Sequence, residues 1–143
     1  MTVLADYEVV FDGEHHLGDG ASANFVSSFS AGGALPNYKG LLVLMVGGLN
    51  VAPLLELPKV LLNGTEIGKL APVYLGWNSD QGLAQQSWYT QHIIFSTNLL
   101  KTQQVNENKL TITAAKLSQP PPNAGVYDDF WVRDIVCFFR QAS

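Results

Sequence analysis

Charge is scarce in this chain. Asp, Glu, Lys and Arg make up only 14% of its 143 residues, against roughly 25% in an average globular domain. Eight Lys and Arg stand against twelve Asp and Glu, for a net charge of -4. No run of basic residues forms the cationic stripe that a nucleic-acid binder needs to neutralise phosphates, so DNA and RNA are not expected partners. Cysteine is scarcer still. Cys137 stands alone, which excludes an intrachain disulfide, and its apolar neighbours make it a small buried hydrophobe and not a reactive thiolate. A long unbroken apolar run is also missing. The stretch from Gly40 to Leu57 is interrupted by Gly47, Gly48, Asn50, Pro53 and Glu56, so it reads as core, and no membrane-spanning segment is expected. The N-terminal residues include Asp6, Glu8 and Asp12 and lack the basic start and apolar centre of a signal peptide. Cytoplasmic localisation is the default expectation, with export by another route left open.

What the chain has is apolar residues, 47% of the total, on a length suited to one domain spanning residues 1–143 with one core. So few charges cannot cover the whole outside, and a homo-oligomer is expected.

The apolar residues are arranged as strands. Val3 to Phe11 mixes β-branched and aromatic types and meets Asp12-Gly13, which reads as a turn. Gly13 to Ala23, with Gly18, Gly20, His15, His16 and Asp19, reads as a structured loop. Asn24 to Ser30 alternates loosely around Phe25 and Phe29. Leu41 to Val46 is apolar throughout, a pattern shared by a strand covered on both faces and a helix segment; the run is short and glycine-flanked, so a strand is preferred, with Leu41, Val43 and Met45 on one face and Leu42, Leu44 and Val46 on the other. At Val60 to Gly68 the pair Asn63-Gly64 supplies the two positive φ values of a type I′ hairpin, setting Leu62 opposite Thr65, Leu61 opposite Glu66 and Val60 opposite Ile67. Trp88 to Ser96 is a further strand, and its His92 reads as partly buried. Asn108 to Ala115 alternates with Leu110, Ile112 and Ala114 inward. Pro120-Pro121-Pro122 marks an exposed crossing. Phe130 to Arg140 closes the chain with two largely apolar faces. No stretch carries a sustained helical period, so the pattern predicts an all-β sandwich or barrel.

Several segments in fixed order carry a family resemblance. They are Phe11-Asp12-Gly13-Glu14-His15-His16-Leu17-Gly18, then Val60 to Leu70 as VLLNGTEIGKL, Trp77, and Gln91 to Phe95. Asn98-Leu99-Leu100-Lys101 then leads to Asn108-Lys109-Leu110-Thr111-Ile112, and Asp129 to Ile135 reads DFWVRDI. Together they resemble the galactose-binding-domain-like modules attached to many carbohydrate-active enzymes. That resemblance implies a two-sheet antiparallel jelly-roll sandwich, a carbohydrate partner, and in some members a structural calcium. This chain departs from the pattern in lacking a glycine just before Asn108 and in the longer loop Lys101 to Glu107.

A sugar site needs aromatic rings for the C–H faces of the ligand and polar groups for its hydroxyls. Trp77, Asn78, Asp80, Trp88 and Tyr89 supply both around one polar segment, and Tyr127 and Asp128 stand as candidates for the same rim. The alternative reading makes the two tryptophans core closures and the Tyr127-Asp128-Asp129 run a strand-initiating turn. The loop from Asp12 to Asp19 offers carboxylates suited to calcium and imidazoles suited to zinc, yet adjacent histidines in extended chain point to opposite sides. No catalytic elbow, phosphate loop or strand-borne carboxylate pair occurs, so an enzyme is not expected, short of one assembled between two copies. Asn63-Gly64-Thr65 matches an N-glycosylation sequon that the hairpin turn explains by itself. The functional expectation is a non-catalytic, carbohydrate-binding, lectin-like module. The rival is a structural or assembly protein that self-associates through its sandwich.

Overall fold

The computed structural model describes residues 2–18, 24–49, 54–72, 88–117 and 127–142. Trp77, Asn78, Asp80, Asp19 and the triple proline lie outside these residues. The described strands are β1 (Val3–Leu17), β2 (Asn24–Phe29), β3 (Lys39–Gly47), β4 (Leu54–Glu56), β5 (Lys59–Leu62), β6 (Thr65–Lys69), β7 (Trp88–Ser96), β8 (Asn108–Thr113), β9 (Ala115–Leu117), β10 (Tyr127–Asp128) and β11 (Phe130–Ala142). Helix among the described residues is confined to one 3₁₀ turn, Thr97–Leu99.

The expected all-β antiparallel sandwich is what forms. One sheet runs β1-β11-β3-β7 and the other β2-β8-β5-β6, with a small third sheet, β10-β9-β4. Leu42, Leu44 and Val46 of β3 meet Val60, Leu62, Leu110 and Ile112 of the second sheet in one buried core. Phe11 and Phe25 join the sheets edge-to-face, with centroids 5.0 Å apart, and Ser27 donates its hydroxyl to the Val10 carbonyl at 2.7 Å.

Four local readings need correction. Asp12-Gly13 does not turn the chain: β1 continues to Leu17 through irregularities between Val9 and Phe11 and between Phe11 and Glu14, because β11 is long enough to keep pairing it. In the hairpin, Asn63 (φ 51) and Gly64 (φ 84) form the expected turn. Leu62 faces Thr65 and Leu61 faces Glu66, but Val60 pairs with Gly68 across a bulge, not with Ile67. Ile93 rests on Gly68, where a side chain would crowd it. The alternation of β8 ends at Thr113, so Ala115, not Ala114, is the buried alanine. His92 is exposed, because it lies on the outer side of β7.

The two apolar faces of β11 have a specific cause. Phe130 and Val132 are buried, and so are Ile135, Cys137 and Phe139, although strict alternation would send these two sets to opposite sides. The register shifts between Arg133 and Val136, and Asp134 sits at φ 50. This bulge inserts one residue and resets the parity, so both apolar sets face the core. Trp131 and Arg133 are thereby turned to the outer face.

Candidate functional site

The outer face of the first sheet carries a row of planar side chains along one line of cross-strand partners. His16 of β1 pairs with Trp131 of β11, Trp131 with Gly47 of β3, and Gly47 with Trp88 of β7. The His16 imidazole lies on the Trp131 indole with centroids 4.4 Å apart and planes within 9°. The Arg133 guanidinium lies 4.1 Å from the centre of the Trp88 ring, a cation–π contact of about 0.5–1 kcal/mol for a partly exposed pair.

Two glycines make this possible. A Cβ on Gly47 would stand 3.0 Å from the Trp88 ring, and one on Gly48 would stand 2.9 Å from that of Trp131. Gly48 also has φ 79, a left-handed conformation that L side chains resist. Both indoles therefore pack close against the backbone of the central strand.

Acids complete the row. His16 Nε2 lies 3.1 Å from Asp129 Oδ1, both side chains partly exposed. Arg133 Nε lies 3.6 Å from Asp134 Oδ2, and Glu14 is the strand partner of Arg133. Indole edges, an imidazole, a guanidinium and carboxylates thus share one surface, which combines apolar contact with groups that exchange hydrogen bonds with hydroxyls.

The residues singled out from sequence fare differently. Trp88 joins the row. Tyr89 points to the other side of β7, packs against the core and donates its hydroxyl to the Ala71 carbonyl at 2.6 Å; burial raises the pKa of that hydroxyl. Gln91, on the same side, donates to the Lys69 carbonyl at 2.8 Å and accepts from the Ala71 amide at 3.0 Å, stitching the chain after β6 to β7. Tyr127 and Asp128 form β10, paired with Lys116 and Ala115, and lead directly into Asp129 and Trp131. Asp128 is buried. Trp77, Asn78 and Asp80 belong to the segment 73–87, outside the described residues.

His15 and His16 do part as expected: His15 lies 5.1 Å from the Phe25 ring, and His16 faces outward. Among the described residues, no three His, Cys, Asp or Glu side chains are grouped to hold a metal. No described helix is long and apolar enough to cross a membrane.

Local sequence pattern does not group His16, Asp129, Trp131 and Arg133, which come together through the pairing of β1 with β11. The local signal is the alternation of Trp131 and Arg133 with Phe130 and Val132. Placing the tryptophan outside required the bulge at Asp134, which the sequence pattern does not announce.

No protein-family model matches the chain, and no curated protein matches it. Among solved structures it is similar to BuGH86 in a crystal structure in complex with neoagarooctaose, with a TM-score of 0.52 and 14% identity over 99% of this chain and 20% of that one. A complex of a substituted form of the same protein gives a TM-score of 0.42, also at 14% identity, over 99% of this chain and 19% of that one. The chain thus spans about a fifth of the length of the protein it resembles, and what is shared is the β-sandwich fold.

Proposed function

We propose that this domain is a non-catalytic carbohydrate-binding module of the galactose-binding jelly-roll type, and that its ligand lies on the row from His16 to Trp88. The observation that carries this reading is the alignment of His16, Trp131 and Trp88 along one line of cross-strand partners through Gly47, with Arg133 and Asp129 beside them. Sugars ask for apolar ring contact together with a few convergent polar groups, and the row supplies both. The neighbour of similar fold is described in complex with an oligosaccharide, neoagarooctaose, which favours the same ligand class by analogy of fold. Trp77, Asn78 and Asp80 lie within eleven residues of Trp88 along the chain and are candidates to extend the rim. The test is calorimetric titration of the intact chain with neoagarooctaose and a panel of neutral polysaccharides. Binding should be weakened by Trp131→Ala with the fold retained; silence across the whole panel would remove the reading.

A second reading has its own observation. Beyond the row, the same outer face exposes Tyr7 (59%), Val9 (52%), Ile94 (61%) and Phe138 (38%), a concentration of apolar side chains that suits face-to-face pairing of two copies. Light scattering should then report a dimer that Val9→Lys and Ile94→Lys dissociate. A monomer at high concentration would exclude this use of the face.

A further inference from the structure

We infer that the row takes an internal stretch of a neutral polysaccharide laid across the strands, about three sugar rings over four strands, and not the single ring of a chain end. This inference rests on the carbohydrate reading above and deepens it.

Length is the first argument. His16, Trp131, Gly47 and Trp88 occupy four neighbouring strands in register, and at ~4.8 Å between strands the row is ~14 Å long. That length exceeds one hexose ring and matches a run of about three.

Shape is the second. A chain end is recognised in a pocket that closes around one ring, and closure needs walls. Here the Trp88 ring lies on Gly47 and the Trp131 ring on Gly48, so the central strand raises no side chain of its own at these two positions, and only the Arg133 guanidinium, laid against Trp88, crosses it. Such a surface accepts a chain that enters at one side and leaves at the other.

Charge is the third. Among the described residues of the row, Arg133 lies near Asp134 and is the strand partner of Glu14, and the His16 imidazole lies near Asp129. Acids beside both groups make the surface one of mixed charge, which suits a neutral ligand better than a sulfate or a carboxylate. The guanidinium and imidazole N–H groups and the Asp129 carboxylate instead suit hydroxyls, which both donate and accept.

Titration of the intact chain with neutral galactan oligosaccharides of one, two, four and eight residues, and with a sulfated galactan, tests this. Affinity should rise about tenfold or more from the single sugar to the tetrasaccharide and level off by the octasaccharide, and Trp88→Ala and Trp131→Ala should each weaken the tetrasaccharide about tenfold. Arg133→Lys and His16→Ala leave both indoles in place, so they keep the test decisive if an alanine variant fails to fold. Each should weaken the tetrasaccharide severalfold. A single sugar bound as tightly as the tetrasaccharide would overturn the inference. So would a sulfated galactan bound tenfold tighter with steep salt dependence, or tetrasaccharide affinity untouched by every variant. Failure of all sugars to bind would instead remove the carbohydrate reading itself.

Discussion

Asn63 donates its side-chain amide to Oδ1 of Asn108 across 2.9 Å. This pair fastens the hairpin turn to the chain that follows β7. Asn63 also donates to the Leu99 carbonyl at 2.8 Å and accepts from the Lys109 amide at 2.8 Å. Asn108, fully buried, accepts from the Lys101 amide and donates to the Lys101 carbonyl, each at 2.8 Å. One turn residue thus serves two ends: its left-handed backbone closes the hairpin, and its side chain ties β5 and β8 to the segment leaving the 3₁₀ turn. Loop Lys101 to Glu107 can then vary in length without disturbing the strand it feeds, since its ends are held together.

Removing that latch should cost stability. Asn108→Ala leaves the buried backbone groups of Lys101 and the Asn63 amide short of partners, a loss of about 2–4 kcal/mol. Asn63→Gly keeps the positive φ and loses the side-chain bonds, for about 1–2 kcal/mol. The double variant should fall short of the sum, because the two residues share a bond. Urea unfolding curves measure all three, and additive losses would show that the pair does not act as a unit.

The bulge at Asp134 makes a sharper prediction. Asn and Gly tolerate φ near 50°, so Asp134→Gly and Asp134→Asn should leave the melting temperature within a few degrees, whereas Asp134→Val should cost about 1–2 kcal/mol. Deleting residue 134 would set Phe130 and Val132 against Ile135 and Cys137 in parity, and should abolish cooperative unfolding. Equal stability of the valine and glycine variants would refute the assigned role of the bulge.

Gly47→Val places a branched side chain where the Trp88 ring now lies. Overpacking of this kind costs about 1–3 kcal/mol, and the indole should lift away from the sheet and from Arg133. Tryptophan fluorescence should shift to the red in this variant and not in Gly32→Ala, since nothing lies within 4 Å of a Cβ there. An unchanged spectrum would argue against the low seating of the ring.

Cys137 makes the alkaline limb testable. Burial, with the nearby charge of Glu8, pushes its thiol from 9.0 up to about 12. The folded state therefore holds a proton that the unfolded chain releases above pH 9. Its contribution is complete below that pH and is lost as pH rises from about 9 toward about 12. Burial of the Tyr89 hydroxyl acts in the same direction at still higher pH. Urea midpoints at pH 8 and pH 10.5 should differ, and Cys137→Ala should reduce the difference. A thiol reagent should react at neutral pH only on unfolding; rapid labelling of the native chain would contradict the burial.

Much of the fold was legible because its signals are local. A short, glycine-flanked apolar run identified β3 and alternation identified β8, and Asn63-Gly64 named its own turn, since few residue pairs accept two positive φ values. The candidate site was harder to read. Trp88 and Tyr89 are neighbours in sequence with similar composition, yet a strand sends successive side chains to opposite faces, and only the core decides which face is inside. His16 and Trp131 are 115 positions apart and meet only because β1 and β11 pair.

The amino-acid sequence by itself determined an all-β chain, the position of its hairpin, the inward placing of Leu110 and Ile112 on β8 and the burial of its one cysteine, because each follows from residues a few positions apart. The tertiary structure alone decided the register of β1 against β11, the bulge that turns Trp131 and Arg133 outward, and the alignment of His16, Trp131, Gly47 and Trp88 across four strands. Cross-strand neighbours are set by pairing between distant segments, and no local pattern encodes which residue will stand beside which.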